Sequence, residues 1–133
     1  MSRLAIYAFT VFVALAPARS HADECPGGST STVACVQERT ALEKKLANAY
    51  TAREAKLKKQ FGSGYGGLEG DGYLSEALSS FRVSNEAWRK YRDAECWYLA
   101  LNDGMNLSPD YASVVSEACK VERTIERLKV YQP

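Results

Sequence analysis

Histidine is nearly absent from this 133-residue chain: the only one, His21, stands close to the N-terminus. A chain that loses this residue has no imidazole to serve as general base, proton shuttle or metal ligand. Charge excess is also missing, with 17 basic and 16 acidic residues. That balance gives no basic footprint for nucleic acid. No short CxxC pair occurs among the four cysteines, whose successive separations are 10, 61 and 23. Structural zinc sites want closer spacing. No run of alternating apolar residues reads as a strand, and no internal repeat appears.

Long apolar runs are scarce too, with one exception. Residues 4–16, LAIYAFTVFVALA, follow Arg3 and carry no charge. Ser20-His21-Ala22 then offers small residues at the positions a signal peptidase reads, just before Asp23 and Glu24. A basic start, a short apolar run and such a site predict a secretory signal peptide over residues 1–22, removed on export to the periplasm or beyond. The run is shorter than the roughly 20 residues a spanning helix needs, so no stable membrane insertion is expected after cleavage. Cys25 does not directly follow the cut, as a lipid-bearing cysteine would. Residues 23–133 then form one domain with a modest core. They contain one more acidic than basic residue.

Cys25, Cys35, Cys96 and Cys119 all lie in that domain. An even number of cysteines in a small exported chain reads as two disulfides, and four cysteines allow three connectivities.

Helical periodicity dominates the rest. Leu42, Leu46, Ala49, Tyr50, Leu57 and Phe61 fall on one stripe of a helix over 33–61. Lys44, Lys45, Arg53, Lys56, Lys58 and Lys59 cover much of its remainder. Such a charge run reads as a solvated face or as a site for an anionic partner. GSGYGGLEGDG, residues 62–72, then holds six of the nine glycines. The backbone entropy of glycine predicts a loop across all of it. A connection this long is either a spacer or a functional loop. Tyr65 and Leu68 are its only large apolar residues.

A second helix is predicted from about Tyr73 to Leu101, with Leu74, Leu78, Phe81, Trp88, Tyr91 and Tyr98 at helical spacing. Asn102, Asp103 and Gly104 open a turn. Ser108-Pro109-Asp110 then starts a third helix over 109–130: serine caps, proline suits the first turn, and aspartate favours the positive end of the dipole. Val114, Ala118, Val121, Ile125 and Leu128 share its face. The fold class is all-α, a small three-helix hairpin or bundle stapled by two disulfides. A 25–35 bridge would tie the N-terminal segment to helix one. A 96–119 bridge would staple helices two and three, provided the 102–108 turn is partly helical or the hairpin asymmetric.

The stretch WRKYRDAECWYLA, residues 88–100, is the densest in aromatic and charged groups. On a helix, Trp88, Arg92 and Cys96 form one row and Tyr91, Glu95 and Tyr98 the next. Trp88, Tyr91 and Arg92 are expected to pack inward, with Arg92 and Glu95 at the edge of the face. Arg92 needs a carboxylate, for which Glu117, Glu122 and Glu126 are candidates. Arg89 and Asp93 are placed to pair at i, i+4. Asp93 and Glu95 point in different directions, unlike a glycosidase pair. No catalytic constellation and no cofactor motif emerges, so no enzyme is expected. Trp97 lies off the Trp88 row and reads as an exposed binding anchor.

The block W-x-x-Y-R-D-x-x-C, a glycine-containing turn, and a cysteine with Thr five and Arg eight residues on resemble the LprI-like lysozyme-inhibitor family of small exported bacterial proteins. Trp88, Tyr91, Arg92, Asp93 and Cys96 match the first block; Cys119, Thr124 and Arg127 match the last. The early pair Cys25 and Cys35 also fits. LANAY at 46–50 displaces Asn48 by one from the family's pattern, Asn85 stands where Gln is usual, and 62–72 reads as an elaboration. The resemblance implies a disulfide-stapled scaffold and a lysozyme or related muramidase as partner, with no cofactor. Occlusion of the enzyme cleft would fall to the 62–72 or the 102–108 loop, with Tyr65, Trp97, Asn102 and Asp103 as contacts. The other reading is an envelope-binding module that uses the lysine-rich face.

Overall fold

The computed structural model describes residues 24–28, 30–61, 70–104 and 108–132. The predicted signal peptide, Tyr65 and most of the glycine-rich connection lie outside the described residues. Three helices make up the fold: α1 (Thr32–Phe61), α2 (Gly70–Gly104) and α3 (Pro109–Lys129). Among the described residues there is no strand, and no helix is long and apolar enough to cross a membrane.

The start of α3 follows the predicted chemistry. Ser108 is the N-cap, Pro109 occupies the first turn and Asp110 adds an acidic group there. The Ser108 hydroxyl accepts from the Tyr111 amide at 3.4 Å. Two boundaries of α2 differ from expectation. The helix begins at Gly70, so the last three residues of the expected loop are helical. Glycine disfavours a helix by only about 1 kcal/mol per residue. Tyr73, whose ring lies 6.3 Å from that of Phe61, helps hold this first turn against α1.

At its other end α2 continues through Asn102 and Asp103 to Gly104, where a turn was expected. This extra helical turn is what the disulfide geometry requires. Cys96 and Cys119 then lie at similar distances from the hairpin end, and their Cα atoms are 5.5 Å apart. Cys25 and Cys35 form the other disulfide, with Cα atoms 5.7 Å apart. The N-terminal loop it closes turns at Gly28, whose φ of 79° suits glycine.

α3 is the central element. It packs along both α1 and α2, which meet each other over less of their length. Eight of its residues are buried, against two in α1. The core is built from small side chains: one cluster joins Cys25 and Cys35 to Val114 and Ala118, and another joins Ala100 to Ala112 and Val115. Small side chains let helix axes approach closely.

α3 is also the shortest helix. At about 1.5 Å per residue it spans roughly 32 Å, against about 45 Å for α1 and 52 Å for α2. It ends beside a cluster of three rings. Tyr131 lies 5.1 Å from Tyr50 and 6.2 Å from Phe81, and Tyr50 lies 5.7 Å from Phe81. Beyond these rings α1 and α2 run on alone as a two-helix arm. None of the described residues between 47 and 84 is buried. Phe61 and Gly70, the ends of the two helices, stand at the far end of that arm.

Candidate functional site

The matched motif residues converge on Arg92. It was expected at the edge of its face, but its side chain is 2% exposed and is the largest fully buried one. Its guanidinium is satisfied from all three helices. Nη2 donates to Glu43 Oε1 on α1 at 2.7 Å. Nη1 donates to Thr124 Oγ1 on α3 at 2.9 Å. Nε donates to its neighbour Asp93 at 2.8 Å. The carboxylate across the bundle is therefore Glu43, not one of the α3 glutamates. A planar fork of donors suits three separated acceptors in a way an ammonium cannot.

The network continues outward. Glu43 also accepts from Arg39 at 3.1 Å, and Arg39 Nε donates to Glu117 at 2.6 Å. Glu117 accepts from Lys120 at 2.7 Å. The result is an alternating chain of charges across the three helices. Burial pushes the Glu43 carboxyl up, and hydrogen bonds from Arg92 and Arg39 reverse this and hold it below the usual carboxylate range. Glu117 behaves the same way, with Lys120 and Arg39 outweighing burial.

Trp88 is half-buried beside two cations. The Arg92 and Arg127 guanidinium carbons lie 5.2 and 5.3 Å from its ring centre. Arg127 also donates to Asn85 at 3.0 Å, and Asn85 accepts from the Tyr131 hydroxyl at 3.1 Å. Thus Trp88, Arg92, Asp93, Thr124 and Arg127 form one connected unit. It ties α2 to both neighbours, while Cys96–Cys119 fastens α2 to α3. Tyr91 does not join it: the residue is 62% exposed and its hydroxyl donates to Glu95 at 2.9 Å. Its position next to Arg92 places it one hundred degrees around the helix, on the outer side. Asp93 bonds Arg92 rather than pairing with Arg89.

Two grooves flank this unit. One, of about 300 Å³, lies between α1 and α2 and is lined by Tyr50, Phe81, Asn85, Trp88 and Glu54 among others. The second, of about 270 Å³, lies between α2 and α3 over Trp88, Glu95 and Arg127. Most carboxylates on the first are already committed: Glu54 is bound by Arg82 at 2.7 and 2.9 Å, and Glu86 by Lys90 at 2.9 Å. Asp93 and Glu95 are divided between different partners, the latter reaching Arg123 at 3.4 Å. Among the described residues, no group of three His, Cys, Asp or Glu is arranged to hold a metal ion.

Of the expected contact residues, Trp97 is 48% exposed and Asn102 is exposed. Asn102 and Asp103 belong to the last turn of α2, not to a loop, and the side chain of Asp103 lies outside the described residues. Trp97 lies near the end of α2 opposite to Gly70, with which the helix begins. Sequence reasoning missed Glu43 and Arg39 as members of the central network. Their i, i+4 spacing was the available signal.

A three-helix fold with this disulfide pair and this buried arginine defines a small stapled helical scaffold. The chain belongs to the family described as lysozyme inhibitor LprI, whose model matches residues 23–130. No curated protein and no solved structure matches the chain.

Proposed function

We propose that the protein is an exported lysozyme inhibitor that blocks the enzyme's cleft with the end of its two-helix arm. The observation that carries this reading is the arm itself. Eleven residues of α1 beyond Tyr50, and as many of α2 before Phe81, extend past the last aromatic contact of α3. At 1.5 Å per residue this carries the helix ends Phe61 and Gly70 about 16 Å past the three-helix section. A projection two helices wide suits a concave site, and the sequence that connects its two ends is glycine-rich and contains Tyr65.

Charge supports the same end. Arg53, Lys56, Lys58 and Lys59 all lie on the arm, are exposed, and hold no ion pair among the described residues. A glycosidase cleft carries two carboxyls that face the sugar, and cations beside the inserted tip complement them. The exported state and the muramidase target rest on the family and on the sequence of residues 1–22.

The test is a lysozyme assay with oxidised protein and enzymes of several types. The wild-type chain is expected to inhibit at least one type in a dose-dependent way. Replacing 62–69 by a short Gly-Ser linker is expected to abolish inhibition while circular dichroism stays helical. Trp97→Ala is expected to retain it. Loss in Trp97→Ala with retention in the loop variant would move the contact to the opposite end and refute the arm reading.

A second reading has one observation behind it. The unpaired cations extend along α1 to Lys44 and Lys45, which are also exposed. A row of this kind fits an anionic envelope component. Strongly salt-dependent binding to such material, with no inhibition of any lysozyme, would favour it.

A further inference from the structure

α2 carries an inner stripe, which the bundle uses, and an outer, uncharged one that it does not. The inner stripe runs through Leu74, Leu78, Phe81, Trp88 and Arg92 to Cys96. The outer one begins at Tyr73 and steps by four and three residues through Ala77, Ser80, Ser84 and Ala87. It continues at the same spacing through Tyr91, Ala94 and Tyr98 to Leu101. No charged residue stands on it from Tyr73 to Leu101, about 42 Å of helix. This is the spacing of a coiled-coil seam. Every member except the half-buried Ala77 is exposed.

The exposed apolar surface concentrates there. Among the described residues, eight large hydrophobic side chains are exposed, and six of them lie on this side of α2: Tyr73, Val83, Tyr91, Trp97, Tyr98 and Leu101. Soluble monomers rarely leave so continuous a patch uncovered.

We infer that this face of α2 binds the same face of a second copy of the chain, with the two helices antiparallel. The size order along the stripe selects this occupant. From Ala77 to Ala87 its members are small, and from Tyr91 to Leu101 all but Ala94 are large; Tyr73 lies beyond the layers paired below. Antiparallel packing about a two-fold axis near Arg89 sets Leu101 against Ala77, Tyr98 against Ser80, Ala94 against Ser84 and Tyr91 against Ala87, each twice. Large therefore meets small in three of the four layers, and two small residues meet in the fourth. Val83 and Trp97, on the same rim, come opposite one another. A parallel pair would instead stack Tyr91 on Tyr91 and Ser84 on Ser84, crowding one end and leaving voids at the other. An isologous contact needs this kind of self-complementarity. Net charge does not oppose it, because the formal charge of the chain is close to zero. The two arms would then point in opposite directions.

Sedimentation equilibrium and light scattering of the oxidised protein test this without any lysozyme. The wild-type protein is expected at twice the chain mass, dissociating on dilution. Ala87→Arg sits at an exposed helical position and places an arginine beside the two-fold axis from each copy. It is expected to weaken association by at least about thirtyfold, with unchanged helicity and thermal midpoint. Tyr98→Lys is expected to weaken association, and adding Ser80→Glu in the same chain is expected to restore part of it, because 80 and 98 face each other only in the antiparallel register. A wild-type protein that stays monomeric at the highest soluble concentration overturns the inference. So does a dimer that Ala87→Arg leaves intact. Failure of Ser80→Glu to rescue Tyr98→Lys overturns the antiparallel register.

Discussion

Replacing Arg92 by methionine removes a fully buried cation that bonds to residues of all three helices. The side chain is fully buried, and its charge meets two carboxylates and one hydroxyl within 2.9 Å. Breaking a buried ion pair by deleting one partner costs about 3–5 kcal/mol. Here the stranded partners are less buried: the Glu43 and Asp93 side chains are 32% and 49% exposed. Glu43 also keeps Arg39, and Thr124 still donates to the Lys120 carbonyl at 2.7 Å. Solvent and these remaining partners reduce the penalty, while loss of the guanidinium beside Trp88 adds to it. The expected cost is about 2–4 kcal/mol, below that of an isolated buried charge. Urea unfolding with disulfides intact, followed by tryptophan fluorescence, measures it directly. Arg92→Lys should fall between the variant and wild type, since an ammonium cannot reach three separated acceptors. A methionine variant within about 0.5 kcal/mol of wild type, the range of neutral surface changes, would refute the view that this arginine organises the bundle.

Acid should weaken the same network. Glu43 and Glu117 have folded-state pKa values below the reference of 4.5. The unfolded chain therefore binds more protons as pH falls. The stability they contribute is complete above that reference and is lost as pH drops through the lowered folded values. A pH series of urea midpoints should show this, and Glu43→Gln should flatten part of it. Removing Cys96–Cys119 by paired serine substitution closes no loop of 23 residues' separation in the unfolded chain. The loss expected from chain entropy is about 3.4 kcal/mol, against about 2.8 kcal/mol for Cys25–Cys35. Differential scanning calorimetry of the two double variants would give their order.

The helices and their apolar faces were legible because periodicity is a local property. Val114, Ala118 and Val121 occupy the core as their spacing required. The cap at Ser108 was equally local. Helix ends were less so: Gly70 and Asn102 are helical because tertiary contacts and a disulfide hold turns that composition alone would leave open. Partner choice was the least legible. Arg92 needed a carboxylate, but Glu43 lies 49 residues away, and no spacing rule connects α2 to α1. Tyr91 shows a related limit. Within a motif its aromatic character suggested burial, yet its angular offset from Arg92 puts it on the outer face. The placement of Tyr65 lies outside the described residues.

The helix that holds most of the core among the described residues is the last of the three to be made. α3 supplies eight buried residues, including the surfaces against which both earlier helices close. During synthesis, α1 and α2 therefore emerge with little to bury against. The Arg39–Glu117 contact must wait for a partner 78 residues downstream. Cys96 likewise waits for Cys119. Folding of the three helices is thus deferred until α3 is available, and losing even the last two turns of α3 would remove Thr124 and Arg127 from the buried network. The first two helices stay open while α3 is being delivered and commit to structure only afterwards.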